Sequence, residues 1–143
     1  MNVLSLITAR GGSKGLPRKN VLPFAGRPLI EWTIAASLGS RLVARTIVST
    51  DDPEIADTAR ACGAEAPFTR PPELSGDAVR HMPVVRHAVE WMEKNQNFRP
   101  DYVLLLQPTS PLRTSEEIDN AIRLAAEKGA PAVVSVKEVD TPP

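Results

Sequence analysis

Residues 2–20 read NVLSLITARGGSKGLPRKN, from Asn2 through Thr8 and then from Ala9 to Asn20. The first seven are an apolar run of strand-compatible residues with a glycine- and cation-rich loop directly behind them, so the chain opens with a buried strand feeding a functional loop. In open α/β sheets ligands bind beyond the carboxyl ends of strands, which is where this loop sits. Gly11, Gly12 and Gly15 can present backbone N–H groups with no side chain in the way. Arg10, Lys14, Arg18 and Lys19 supply charge for a polyphosphate. The plain alternative is a solvated basic turn, but the strand placement and the absence of any carboxylate before Glu31 favour an anion site. It is not a Walker A loop, because Gly15 is followed by Leu16-Pro17, and the dinucleotide G-x-G-x-x-G is absent.

Outward from this stretch, strand and helix patterns alternate. Leu29, Ile30, Thr33, Ile34 and Ser37 keep a helical spacing before the stop at Gly39. Residues 46–50 (TIVST) are a β-branched run, and Asp51-Asp52-Pro53 supplies cap candidates with proline at the first helical position. Ile55, Ala56, Ala59 and Cys62 share one face of the helix that follows, which ends before Gly63. A short strand is expected over 64–68, a loop over 70–77 (RPPELSGD) and a helix over 84–92. Residues 101–107 (DYVLLLQ) read as a strand covered on both faces. Ser115 with Glu116 and Glu117 opens a capped helix running to Gly129, and residues 132–136 predict a fifth strand. Repeated strand–helix alternation predicts a Rossmann-like, three-layer α/β/α parallel sheet.

A chain of 143 residues suffices for one domain over 1–143, and 42% hydrophobic with 24% charged residues is ordinary for a globular protein. Seventeen basic residues balance seventeen acidic ones, so no long-range field favours nucleic acid or an anionic membrane. Arg10, Lys14, Arg18, Lys19 and Arg27 nevertheless all precede the first carboxylate, which concentrates positive charge near the loop. Cys62 is the only cysteine, excluding an internal disulfide and a cysteine-based metal site. The apolar start lacks a basic n-region and is far short of the roughly 18 apolar residues a bilayer span needs, so a cytoplasmic protein is expected.

Four ordered segments then carry a resemblance: Ala9-Arg-Gly-Gly-Ser-Lys-Gly15 with Lys19-Asn20, IVSTDD at 47–52, RPPEL at 70–74 followed by Asp77, and LLQPTSPLR at 105–113. Together they resemble the acylneuraminate cytidylyltransferases, the CMP-sialic acid synthetase family. The resemblance implies a nucleotide-diphospho-sugar transferase fold of glycosyltransferase-A type, truncated here at the C-terminus. It implies transfer of CMP from CTP to the anomeric hydroxyl of a sialic-acid-like ulosonic acid, with release of pyrophosphate. Related enzymes for pseudaminic, legionaminic or Kdo-type sugars are the alternative, as is a non-catalytic nucleotide-binding fragment.

By the same resemblance Arg10 and Lys19 hold the triphosphate, and Ala9, Gly12, Ser13, Lys14 and Asn20 complete the cradle. Arg70 falls beside the base, its alternative being a surface arginine. Gln107 would position the acceptor sugar, with Thr109 and Ser110 lining the same cleft; a hydroxyl-capped turn is the structural alternative. His81 stands where the family often has a serine, and is otherwise a cap or surface residue. Arg113 would meet the sugar carboxylate or solvent. Asp51 and Asp52 are expected to cap the second helix. Mg²⁺ is implied with ligands outside this chain, as is a homodimer at full length, so these 143 residues alone are expected to turn over poorly.

Overall fold

The computed structural model describes residues 1–11, 20–76, 81–108 and 113–133. In chain order the elements are β1 (Val3–Thr8), a hairpin of β2 (Pro23–Phe24) and β3 (Arg27–Pro28), α1 (Leu29–Leu38), β4 (Arg45–Ser49), α2 (Pro53–Ala61), a 3-10 turn (Pro72–Leu74), α3 (His81–Gln96), β5 (Tyr102–Leu106) and α4 (Ser115–Lys128). β1 lies between β4 and β5 and is parallel to both, with Leu6 opposite Ile47 on one side and Leu105 on the other.

Alternation along β1 sends its side chains to two separate cores. Val3 and Ile7 pack with Ile30 and Ile34 of α1, Ile55 of α2, and Ile118 and Ile122 of α4. Leu4 and Leu6 face the other way, against Ala88 and Met92 of α3. Helices therefore cover both faces of the sheet, giving the predicted α/β/α layering. Each fully buried Val, Leu or Ile contributes about 1.5–3 kcal/mol relative to exposure.

Local chemistry sets the element ends. Asp52 caps α2, accepting from the amides of Glu54 and Ile55 at 2.8 and 3.2 Å. In α4 the cap is Thr114, whose hydroxyl accepts from the Glu117 amide, and not Ser115 as the sequence suggested. The Ser115 hydroxyl instead donates to the Ala36 carbonyl at 2.7 Å, tying α4 to α1. Gly129 ends α4 in the left-handed conformation, φ 59°.

The strand expected over 64–68 reduces to one parallel bridge between Ile47 and Glu65. The Glu65 side chain turns to pair with Arg45, and Pro67 has no N–H to extend a ladder. The hairpin was not anticipated: Ala25 and Gly26 both take positive φ, 50° and 84°, the geometry of a two-residue hairpin turn. It is held to α1 by the Trp32 indole N–H, which donates to the Phe24 carbonyl at 2.7 Å, and by Arg27 stacked over the Trp32 ring. Of the predicted fifth strand, residues 134–136 lie outside the described residues. Among the described residues no helix is long and apolar enough to cross a membrane.

One polar cluster interrupts the core. Ser5 of β1, Ser37 of α1 and Thr46 of β4 are buried, and the Ser37 hydroxyl bonds to those of both Ser5 and Thr46 at 2.7 Å. Ser37→Ala leaves both partners short of a contact. It is expected to destabilise the chain by about 1–3 kcal/mol, read as a lower urea midpoint at unchanged slope.

Candidate functional site

Because the three strands are parallel, Thr8, Ser49 and Leu106 bring their carboxyl ends to one rim of the sheet. β1 is followed in sequence by a strand on one flank and later by one on the other, so its carboxyl end is a topological switch point, where such sheets form their ligand crevice. The glycine-rich loop leaves from that point. Ala9 is buried and its N–H donates to the Ser49 carbonyl at 3.1 Å, continuing the ladder one residue past β1. The loop's two ends are joined by Asn20, only 3% exposed, whose side-chain amide donates to the Arg10 carbonyl at 3.1 Å. The Asn20 and Leu22 carbonyls then accept the N–H groups of Ile30 and Leu29, both at 2.9 Å. They satisfy the first amides of α1, which Pro28 at the cap position cannot do with a side chain.

Of the two aspartates after β4, Asp52 is a helix cap and Asp51 is not. The Asp51 carboxylate accepts the Gly11 N–H at 3.0 Å. Asp52 also presses on the loop, since a Cβ built on Gly11 would lie 2.4 Å from its Oδ2 atom. Glycine at 11 is thus required by close approach. The sequence hid this contact because it depends on strand register: Thr8 pairs with Ser49, which places the residues just beyond each strand side by side.

Arg70 is 4% exposed and is drawn in at the same rim. Its backbone N–H donates to the Thr50 carbonyl at 2.8 Å, its Nε to the Ser49 hydroxyl at 3.0 Å, and its Nη2 to the Ser49 carbonyl. Nη1 lies 3.5 Å from the Leu74 carbonyl. Burial pulls this guanidinium below the usual arginine value; Asp51 opposes that effect, and Arg10 adds to it. Behind Arg70, the His87 ring of α3 meets Phe68 edge-on, with centroids 4.9 Å apart and planes at 88°. Burial lowers the His87 pKa from 6.5; the Arg70 charge lowers it further, while Glu90 and Glu73 raise it.

On the other flank, Gln107 stands exposed just beyond β5, its side-chain nitrogen 3.0 Å from Nε2 of His81 at the start of α3. The sequence placed these two residues at separate strand and helix ends and gave no sign of the pairing. Arg113 is half-buried ahead of α4. Gly12, Ser13, Lys14, Lys19, Thr109 and Ser110 lie outside the described residues. Of the residues expected to bind nucleotide or sugar, the structure thus places Ala9, Arg10, Asn20 and Arg70 around the β1–β4 rim, and Gln107 across β1 from them.

The model of the family described as Cytidylyltransferase matches residues 4–141. The chain belongs to that family. A pseudaminic acid cytidylyltransferase of Campylobacter jejuni is 40% identical over 85% of this chain and 52% of its own length. A CMP-N,N'-diacetyllegionaminic acid synthase of Legionella pneumophila is 41% identical over 100% of this chain and 61% of its own. For an N-acylneuraminate cytidylyltransferase of Escherichia coli the figures are 37%, 85% and 28%. The solved structure of a CMP:2-keto-3-deoxy-manno-octonic acid synthetase complexed with CTP matches with a TM-score of 0.72 at 26% identity, covering 91% of this chain and 49% of that one. The chain spans between half and two thirds of the length of the first two relatives. The nucleotidyltransferase fold and the acylneuraminate-type resemblance of the four sequence segments agree with these matches.

Two outcomes follow for the chain. Gly11→Ala must push the loop off Asp52 or break its cap, at about 1–2 kcal/mol. In a double-mutant cycle with Asp52→Ala that cost is expected to shrink, a non-additivity readable from urea unfolding. His87 gives a pH dependence. Its folded pKa is depressed, so the unfolded chain takes up a proton near pH 6.5 that the fold resists. Stability is full above that value and is lost as pH falls through it. The urea midpoint of the wild type should drop between pH 7.5 and 5, and less so in His87→Phe.

Proposed function

We propose that this chain is the nucleotide-binding part of an enzyme that transfers CMP from CTP to the anomeric hydroxyl of a sialic-acid-like ulosonic acid. The reading is carried by one observation: the glycine- and arginine-bearing loop leaves β1 at the switch point of a sheet that belongs to the cytidylyltransferase family. In the proposed reaction the sugar oxygen forms a bond to the α-phosphorus of CTP and the bond to the β-phosphate bridging oxygen breaks. Pyrophosphate leaves, and the hydroxyl proton passes to solvent or to a base. Such displacements depend chiefly on holding the reactants in line and neutralising phosphate charge.

Arg10 and Lys19 are assigned the triphosphate charge, with Gly12, Ser13 and Lys14 lining the cradle and Ala9 and Asn20 fixing its two ends. Three N–H groups of the Arg70 guanidinium are directed at Ser49 and Leu74. Its part in this reading is to hold residues 70–74 at the rim and to direct its remaining donors toward the base. Gln107, with Thr109 and Ser110, is assigned the acceptor sugar. The named relatives act on pseudaminic, legionaminic and neuraminic acids, which supports a sugar of that acidic class. The same reading makes the whole enzyme a cytoplasmic homodimer that uses Mg²⁺. Among the described residues no group of three or more His, Cys, Asp or Glu is placed to hold a metal. Asp51 and Asp52 are engaged by backbone amides. The described residues do not fit the cation.

Equilibrium binding tests the reading directly. The chain is expected to bind CTP in preference to ATP and GTP, and Arg10→Ala and Lys19→Ala are each expected to weaken CTP binding 10- to 100-fold. That corresponds to about 1.4–2.7 kcal/mol for a charge-assisted phosphate contact. Unchanged affinity in both variants would overturn the assignment.

A further inference from the structure

We infer that Asp51 is a positioning residue of the nucleotide site: its carboxylate takes the Gly11 N–H and so sets the path by which the glycine-rich loop leaves β1. The inference concerns the same site as the proposed function and rests on that reading for its consequence in nucleotide binding.

The geometry begins with how firmly Asp51 is held. Before it, Ser49 and Thr50 are buried at the end of β4, and their carbonyls accept the N–H groups of Ala9 and Arg70. After it, the Asp52 amide donates to the Thr50 hydroxyl at 3.1 Å, and the Asp52 carboxylate is spent on the first amides of α2. Helix capping is thus done entirely by Asp52, and the Asp51 side chain turns to the neighbouring strand end. There Oδ1 meets the Gly11 N–H at 3.0 Å across a separation of forty residues. An amide bonded to a carboxylate makes a charge-assisted contact, roughly twice as strong as a neutral one.

Gly11 is the residue at which that contact matters most. A glycine has more backbone freedom to lose than any other residue, so the chain at Gly11-Gly12, two residues into the loop, has little local preference for one direction. Asp51 fixes the amide while Asp52 leaves no room for a side chain, so the two aspartates clamp Gly11 from its polar and steric sides. Its N–H, engaged by Asp51, is then not a phosphate donor.

A carboxylate beside an anion site repels the anion, so its presence calls for a physical reason. The charges around it supply one. The buried Arg70 guanidinium has Asp51 as its opposing charge and Arg10 as a like charge. Asp51 offsets the repulsion between two arginines that must share one rim before any phosphate arrives, while its hydrogen bond pre-sets the loop. Pre-organisation of this kind lowers the ordering cost of binding.

Asp51→Asn and Asp51→Ala separate the parts of this role. Asparagine keeps an oxygen for the Gly11 N–H and removes the charge; alanine removes both. Hydrogen exchange of the Gly11 amide, measured by NMR without any ligand, should show protection in the wild type and in Asp51→Asn and loss of it in Asp51→Ala. Affinity for inorganic tripolyphosphate and for CTP should fall at least tenfold in Asp51→Ala and stay within about threefold in Asp51→Asn. The inference is overturned by an unprotected Gly11 amide in the wild type, which needs no variant, by unchanged affinity in Asp51→Ala, or by equal loss in both variants. If the wild type binds neither CTP nor tripolyphosphate, the proposed function fails, while Gly11 exchange still decides whether Asp51 orders the loop.

Discussion

The structure depends on β1 being hydrogen-bonded on both edges and covered on both faces. A strand with parallel neighbours on each side has no freedom of register, because slipping by one residue would exchange Val3 and Ile7 for Leu4 and Leu6 between two differently shaped cores. The position of Thr8, and of everything beyond it, is fixed by that pairing. The loop from Ala9 is therefore launched from the most constrained point of the fold, between the ends of β4 and β5. Charge at the site comes from residues that flank this point and not from the molecule as a whole, whose net charge is zero.

The same constraint explains why the rim can tolerate buried charge. Arg70 gives up water almost completely, yet its nitrogens meet the Ser49 carbonyl and hydroxyl, and Asp51 stands nearby. A buried arginine is costly unless its donors are paired. The end of β4 supplies the pairing because the Ser49 carbonyl, which already accepts the Ala9 N–H, has a second lone pair to offer, and the Ser49 hydroxyl stands beside it. One short segment, residues 49–52, thus anchors the loop after β1, the loop at 70–74 and the start of α2.

Much of this was legible in the sequence. β1, β4 and β5 were readable because doubly covered strands are continuous apolar runs, and α1, α2 and α4 because helical spacing and stop residues agreed. What was not legible has two physical sources. Short elements carry too little pattern: β2 and β3 hold two residues each, two of the four being prolines, and the bridge at Glu65 is a single pairing. Contacts set by register and packing have no local sign at all. Asp51 and Asp52 look equivalent beside Pro53, and only the pairing of β4 with β1 gives one to the helix and the other to Gly11. The meeting of His81 with Gln107 is of the same kind, as is the exchange of roles between Thr114 and Ser115, decided by the nearby Ala36 carbonyl.

Asn20 carries a consequence of a different order. By joining the two ends of the loop through the Arg10 carbonyl, it makes the folded chain bear the entropy of bringing those ends together, a quantity that rises only as (3/2)RT ln n with the number of residues enclosed. Each doubling of such a loop adds about 0.6 kcal/mol. Residues can therefore be added between Arg10 and Asn20 at little cost in closure entropy, provided that Asn20 and the Arg10 carbonyl still meet.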